Sequence, residues 1–199
     1  MKLKLWRLLL LGLGLSNAIA FRAKSQISPD GTTNTTVNST DNTIVINEGD
    51  RTRDNLFHSF EQFSVPNGSE AFFNNANDIA NIFSRVTGGD ISEIDGLIRA
   101  NGDANLFLIN PAGIVFGEGA ALDIGGSFTA STAESVVFND DVEFDATQGS
   151  NSPLLTVSQP IGLNFGNSPG NIALDGSNLE VDNKEALALL GGNVSINRG

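Results

Sequence analysis

The sequence predicts an all-β chain wound as a solenoid. Three observations carry that expectation. First, the apolar runs are short and bounded by turn residues. Leu106–Ile109 and Ile114–Phe116 flank Asn110-Pro111-Ala112-Gly113, and Leu122–Ile124 lies between Gly117-Glu118-Gly119 and Gly125-Gly126. Runs of this length read as buried strands. Second, the chain carries 22 Gly and 23 Asn with only 17% charged residues, a composition that favours turns and left-handed corners over long helices. Third, Gly88–Gly96 (GGDISEIDG), Gly170–Gly176 (GNIALDG) and Gly191–Gly199 (GGNVSINRG) share a glycine, a polar residue, alternating apolar positions and a closing glycine. The last two begin about one coil apart, and periods of roughly 20 residues are those of solenoid coils. Asn at recurrent corners would stack into amide ladders, and Phe at interior positions would stack likewise.

Met1–Arg7 is basic, Leu8–Leu15 is apolar, and Ala18-Ile19-Ala20 is a small-x-small site. This is the pattern of a secretory signal peptide over residues 1–20, cleaved after Ala20 and too short to span a membrane. The remainder, 21–199, is long enough for one domain with a sizeable core. It contains no integral membrane segment. Phe21–Asp41 is polar, with a turn at Pro29-Asp30-Gly31. Thr43–Asn47 is a strand and Glu48–Asn55 a charged loop. Leu56–Phe63 clusters Leu56, Phe57, Phe60 and Phe63 at a spacing that suits strand or helix. Ala71–Phe73 resumes the chain after Pro66-Asn67-Gly68. In Asp78–Gly89 the spacing of Ile79, Ile82, Phe83 and Val86 is helical, but the Gly-rich, β-like flanks favour a strand from Ile82 to Thr87. Asn139–Asp145 alternates Val142 and Phe144 with acidic residues, as in a half-exposed strand. Pro153–Val157, Ile161–Phe165 and Leu187–Leu190 complete the strands. The chain stops at Gly199 in mid-pattern, as expected of the start of a longer exoprotein or of a truncated copy.

Net charge is −12, and loss of residues 1–20 removes Lys2, Lys4 and Arg7 to leave −15. Such a chain is repelled by nucleic acid and anionic lipid. Cysteine is absent, which excludes disulfides and thiolate metal sites. The one histidine, His58, stands beside Ser59 but has no evident catalytic partner, so a packed or surface role is the better reading. Sequons at Asn34, Asn38, Asn67 and Asn193 carry little weight in so Asn- and Thr-rich a chain.

The ordered strings Asn55–Gly68 (NLFHSFEQFSVPNG), Ala71–Gly89 (AFFNNANDIANIFSRVTGG), Ile94–Gly117 (IDGLIRANGDANLFLINPAGIVFG) and Leu122–Thr132 (LDIGGSFTAST) resemble the filamentous haemagglutinin N-terminal domain. This is the secretion domain of two-partner-secretion exoproteins, here of the cyanobacterial type. The resemblance implies a right-handed parallel β-helix with an N-terminal cap and short extra-helical β-elements. It implies periplasmic transit, recognition by an outer-membrane β-barrel transporter through its POTRA domains, and folding at the surface to give a secreted or cell-surface, adhesin-like protein. The family motif Asn-Pro-Asn-Gly-Ile falls on Asn110-Pro111-Ala112-Gly113-Ile114, with Ala112 in place of the second Asn. A further motif, Asn-Pro-Asn-Leu, is loosely matched by Asn74, Asn75 and Asn77 around Ala76.

A second reading is a secreted β-helical polysaccharide-processing enzyme, with Asp123, Asp141, Glu143 and Asp145 as the carboxylates to suspect. Glycoside hydrolysis needs two carboxyls a fixed distance apart across a cleft, and the acidic alternation is more simply a solvated strand face. No calcium-loop pattern appears. The sequence therefore assigns no catalytic, cofactor or metal site, and leaves the ligand of any passenger open.

Overall fold

A computed structural model of the chain describes residues 27–147 and 156–197. The expected cleavage-site residues Ala18 and Ala20 lie outside them. Within the described residues the chain forms strands and no helix. Each coil visits three sheets in turn. The first sheet stacks Thr43–Glu48, Glu70–Phe73, Leu97–Ala100 and Ala121–Asp123 in parallel. The second stacks Asn55–Phe63, Asn81–Val86, Asn105–Ile109, Phe128–Ser131 and Leu187–Leu190. The third stacks Ser92–Ile94, Ile114–Phe116, Asn171–Asp175 and Asn193–Asn197. The result is a parallel β-solenoid.

The N-terminal end is capped by antiparallel pairing. Ile27–Pro29 lies along Asn55–Phe63, and Thr35–Thr40 along Thr43–Glu48. These two strands arise from the polar stretch in which the sequence showed only a turn, because Thr35–Thr40 is mostly exposed and carries Val37 as its one apolar residue, which leaves no alternation to read. Ile27, Phe60 and Phe63 close the core beneath it.

Register puts like residues in columns. Leu56, Ile82, Leu106 and Phe128 stack inside the coil. Successive side chains of a strand point to opposite faces, so the neighbouring column of Phe57, Phe83 and Phe107 points outward. A phenylalanine stack therefore runs along the outside of the second sheet, in addition to the stacked interior pair Phe63–Phe73, whose ring centroids are 6.0 Å apart. Ring centroids are 5.2 Å apart for Phe57–Phe83 and 4.8 Å for Phe83–Phe107, both stacked.

An excursion covers that column. Stacked residues of the second sheet lie 26, 24 and 22 positions apart in the early coils, but 59 apart across the last step. The added chain forms a separate antiparallel sheet of Ser135–Phe138, Glu143–Asp145 and Pro160–Asn164. Val136, Phe138 and Phe144 pack from it onto Phe57, Phe83 and Ile109 in a second hydrophobic cluster. This explains the ambiguity of Asp78–Gly89. The strand Asn81–Val86 is buried on both faces, and a strand so placed loses its alternation and imitates helical spacing.

Other boundaries shift slightly. The predicted Asn139–Asp145 strand is a turn, with Asp141 at φ 60°, followed by Glu143–Asp145 alone; the Asn-Asp-Asp run is turn chemistry. Ile161–Phe165 is Pro160–Asn164. Of Pro153–Val157, residues 153–155 lie outside the described residues, and Thr156 and Val157 are not in a strand. The repeat spacing holds: Gly192 N donates to Gly170 O at 2.9 Å, one coil above the other.

Candidate functional site

The turn Asn110–Gly113 joins the second sheet to the third. Asn110 is fully buried. Its Nδ2 donates to Asp90 O and Ser92 Oγ of the preceding coil, each at 2.9 Å. Its Oδ1 accepts from Ala112 N at 3.0 Å, and its carbonyl accepts from Gly113 N at 3.1 Å. Every polar atom of the buried amide is thus paired, as burial demands. One side chain folds its own turn and ties it to the corner below. Pro111 fixes the first turn position and donates no N–H. Gly113 adopts φ 133°, a region open to glycine. Pro111 and Ala112 remain half-buried at the surface. The next coil seals the turn from above. Gly170 N donates to Pro111 O at 3.0 Å, and a Cβ on Gly170 would fall 2.6 Å from that oxygen.

Asn74, Asn75 and Asn77 form the corner between the first and second sheets. Asn74 Nδ2 donates to Asn47 Oδ1 at 2.9 Å, continuing an amide ladder. Asn75 is buried, accepts from Asn101 N at 2.9 Å and donates to Asn101 O at 3.0 Å. Asn77 is exposed. A second ladder runs through Asn55, Asn81 and Asn105 with links of 3.0 Å. One end is closed by Ser127 N on Asn105 Oδ1 at 2.9 Å, the other by Asn55 Nδ2 donating to Thr156 O and Ser158 O of the excursion. The two motif segments occupy different corners and are not brought together into one site.

A buried polar cluster surrounds Arg85, which is not among the candidate residues read from the sequence. Arg85 is 1% exposed. Its Nε donates to Ser59 Oγ at 2.6 Å, one terminal nitrogen to Thr32 Oγ1 at 2.9 Å and the other to Asp145 O. The guanidinium carbon sits 5.1 Å from the centre of the Phe144 ring. Burial lowers its pKa from the usual arginine range, opposed by the charges of Asp30 and Asp145, and it stays protonated. Burial would raise the Asp30 carboxyl, but hydrogen bonds from Ser59, Thr32 and Thr87 outweigh it and hold the pKa below the usual value. Arg85 therefore joins the cap, the second coil and the excursion. The available signal was a Ser-Arg pair within the strand Asn81–Val86, between Phe83 and Val86.

His58 is a packed histidine. It points into the coil, with Nδ1 3.0 Å from Thr35 Oγ1 of the cap and its ring 5.5 Å from Phe73. Burial pushes its pKa down to about 3 from 6.5. Protonation therefore favours the unfolded chain. Its contribution is complete above pH 6.5 and is lost as pH falls from there toward about 3, at a slope approaching about 1.4 kcal/mol per pH unit. His58→Gln is expected to flatten urea-unfolding stability between pH 6.5 and about 5, where carboxylates are still ionised. An unchanged slope in that variant would exclude the assignment.

The suspected carboxylates do not converge. Asp123 lies on the first sheet, whereas Asp141, Glu143 and Asp145 belong to the excursion. Glu143 accepts from Ser135 Oγ, and Asp145 accepts from Thr147 within its own turn.

A model of the TPS secretion domain family matches residues 25–199. The chain belongs to this family. The TPS secretion domain is the exported module of two-partner-secretion exoproteins, whose counterpart is an outer-membrane transporter; the family is not an enzyme family. Over 77 residues this TPS secretion domain is 35% identical to the heme/hemopexin-binding protein of Haemophilus influenzae, covering 38% of the present chain and 8% of that protein. The crystal structure of the HMW1 secretion domain from Haemophilus influenzae shares its fold, with a TM-score of 0.58 at 23% identity over 86% of this chain and 40% of that one. The chain thus spans a small part of the curated relative it matches. Among the described residues no helix is long and apolar enough to cross a membrane.

Proposed function

We propose that residues 1–20 are a signal peptide cleaved after Ala20, and that 21–199 is the module which commits an adhesin-like exoprotein to its transporter. The transporter's POTRA domains bind the chain in the periplasm. The chain crosses the outer membrane and coils at the surface, where it is released or retained. The turn Asn110-Pro111-Ala112-Gly113-Ile114 is the principal secretion motif, and Asn74, Asn75 and Asn77 the secondary one.

The observation that carries the role of the turn is the complete pairing of Asn110. A buried amide that bonds both its own turn and the coil below sets the shape of a corner whose outer atoms, on Pro111 and Ala112, remain accessible. Ala112 supplies only its backbone N–H to this arrangement, so the turn closes without the second Asn of the family pattern.

Asn110→Ala is expected to be processed by signal peptidase yet accumulate in the periplasm when co-expressed with the transporter. Leaving the partners of this amide unpaired costs about 2–3 kcal/mol. Asn67→Ala, at an exposed turn, serves as the control that keeps normal release. Fractionation followed by immunoblot decides it: release of Asn110→Ala at the wild-type level removes the role assigned to the turn.

A further inference from the structure

The sequence holds two Asn-Gly pairs, Asn67-Gly68 and Asn101-Gly102. Both lie in turns, and both glycines are exposed at positive φ, 70° and 66°. Access to water therefore does not separate them. What separates them is the hold on the peptide unit that joins the two residues.

Asn67-Gly68 is the tip of a turn closed by Ser69 N, which donates to Pro66 O at 3.0 Å. Glycine at positive φ is what the third position of such a turn requires. Asn67 is exposed. Its amide rests against Gly119, where an added Cβ would fall 2.3 Å from Nδ2. Among the described residues no hydrogen bond holds that amide, the Asn67 carbonyl or the Gly68 N–H. A Cβ on Gly68 would meet nothing within 4 Å. This peptide unit can swing while the bond that closes the turn stays made.

Asn101-Gly102 is pinned. Asn101 N donates to Asn75 Oδ1 at 2.9 Å, and the Asn101 carbonyl accepts from Asn75 Nδ2 at 3.0 Å. The Asn101 amide donates to Asn75 O at 3.0 Å and to Asn74 Oδ1 at 3.4 Å. The buried Asn75 side chain thus grips the backbone on both sides of Asn101. The next coil closes over the pair, and a Cβ on Gly125 would fall 2.4 Å from Gly102 O.

We propose that Asn67 is a site of spontaneous deamidation in the folded domain, and that stacking on Asn75 protects the chemically equivalent Asn101. Gly68 N attacks Asn67 Cγ. The new C–N bond closes a cyclic succinimide, the Cγ–Nδ2 bond breaks, and the Gly68 proton leaves with ammonia. Water then opens the ring. Addition at Cγ gives aspartate; addition at the backbone carbonyl gives isoaspartate, with one more methylene in the main chain. Nothing is oxidised or reduced, and water is the co-reactant. Glycine favours the step because no side chain restricts its backbone or shields its nitrogen. Each event adds a negative charge to a chain already at −12. The protection of Asn101 exists only where the coils stack, so the two pairs together report whether the domain has coiled.

The test follows both sites by peptide mapping of the purified chain, held at neutral pH either native or in urea. Conversion is read from the mass gain of amide to acid, and isoaspartate from labelling by its methyltransferase. In the native chain Asn67 is expected to convert at least roughly tenfold faster than Asn101, the factor that two ordinary hydrogen bonds on the moving groups supply. In urea the two rates should converge, because Asn101 is released. Asn75→Ala is expected to speed conversion at Asn101 in the native chain and leave Asn67 unchanged; the comparison of native and unfolded wild type stands whether or not this variant folds. Equal native rates, a native Asn67 that stays intact while the unfolded chain converts there, or a preference that persists in urea would each overturn the assignment. A folded Asn75→Ala chain with Asn101 still protected would overturn the role given to Asn75.

Discussion

Phe83→Ala is expected to cost the folded domain about 4 kcal/mol, the figure for deleting a fully enclosed phenyl ring. Phe83 has no exposed surface and touches aromatic rings on three sides: Phe57 and Phe107 along the column, and Phe138 from the excursion. No backbone shift in a stacked sheet fills that space, because the strand is held by partners on both edges. Urea unfolding should show a lower midpoint. Brief proteolysis should cut the excursion before the coils, since the ring's removal loosens the excursion more than the stacked coils. Phe72→Ala is the contrast. Its half-buried ring stacks under one guanidinium, and its loss should cost about 1 kcal/mol. Equal losses for the two variants would mean that the excursion does not press on the Phe83 column.

Arg85→Ala is expected to cost about 3 kcal/mol, by stranding buried polar partners. The change removes the donor to Ser59 Oγ, Thr32 Oγ1 and the Asp145 carbonyl and the positive charge facing Asp30. The burden falls on the junction of cap, second coil and excursion. A double-mutant cycle with Asp30→Ala should therefore return a coupling of at least about 1 kcal/mol. Because Arg85 is buried, that coupling should survive added salt. A loss below about 1 kcal/mol for Arg85→Ala, or strict additivity with Asp30→Ala, would show that the cluster does not join these elements.

The legible parts of the fold were those with a local chemical cause. Asn110-Pro111-Ala112-Gly113 specifies its own turn, and the strand Ile114–Phe116 after it was read with its bounds intact. The glycine repeat revealed Asn171–Asp175 and Asn193–Asn197 as neighbours one coil apart. It did not mark Ile114–Phe116 as their partner, because the excursion displaces the period between Ile114 and Ile172. The outward direction of Phe57, Phe83 and Phe107 was not legible for a related reason. A coil face covered by distant chain looks, in local sequence, like a coil core. Arg85 was invisible for the same cause: its partners Thr32, Ser59 and Asp145 come from the cap, the first coil and the excursion. The amide ladder of Asn55, Asn81 and Asn105 lies at strand starts as well as corners. At the turn, the residue types were readable, but the reach of Asn110 to Asp90 and Ser92 required the stacked coil.

The most direct measurement is the location of the chain with and without its outer-membrane transporter. Cells expressing both should place the processed protein in the medium or on the surface. Deleting the transporter should leave the same processed species in the periplasm, with none outside. Undiminished release from the deletion strain would contradict the export of this domain by two-partner secretion.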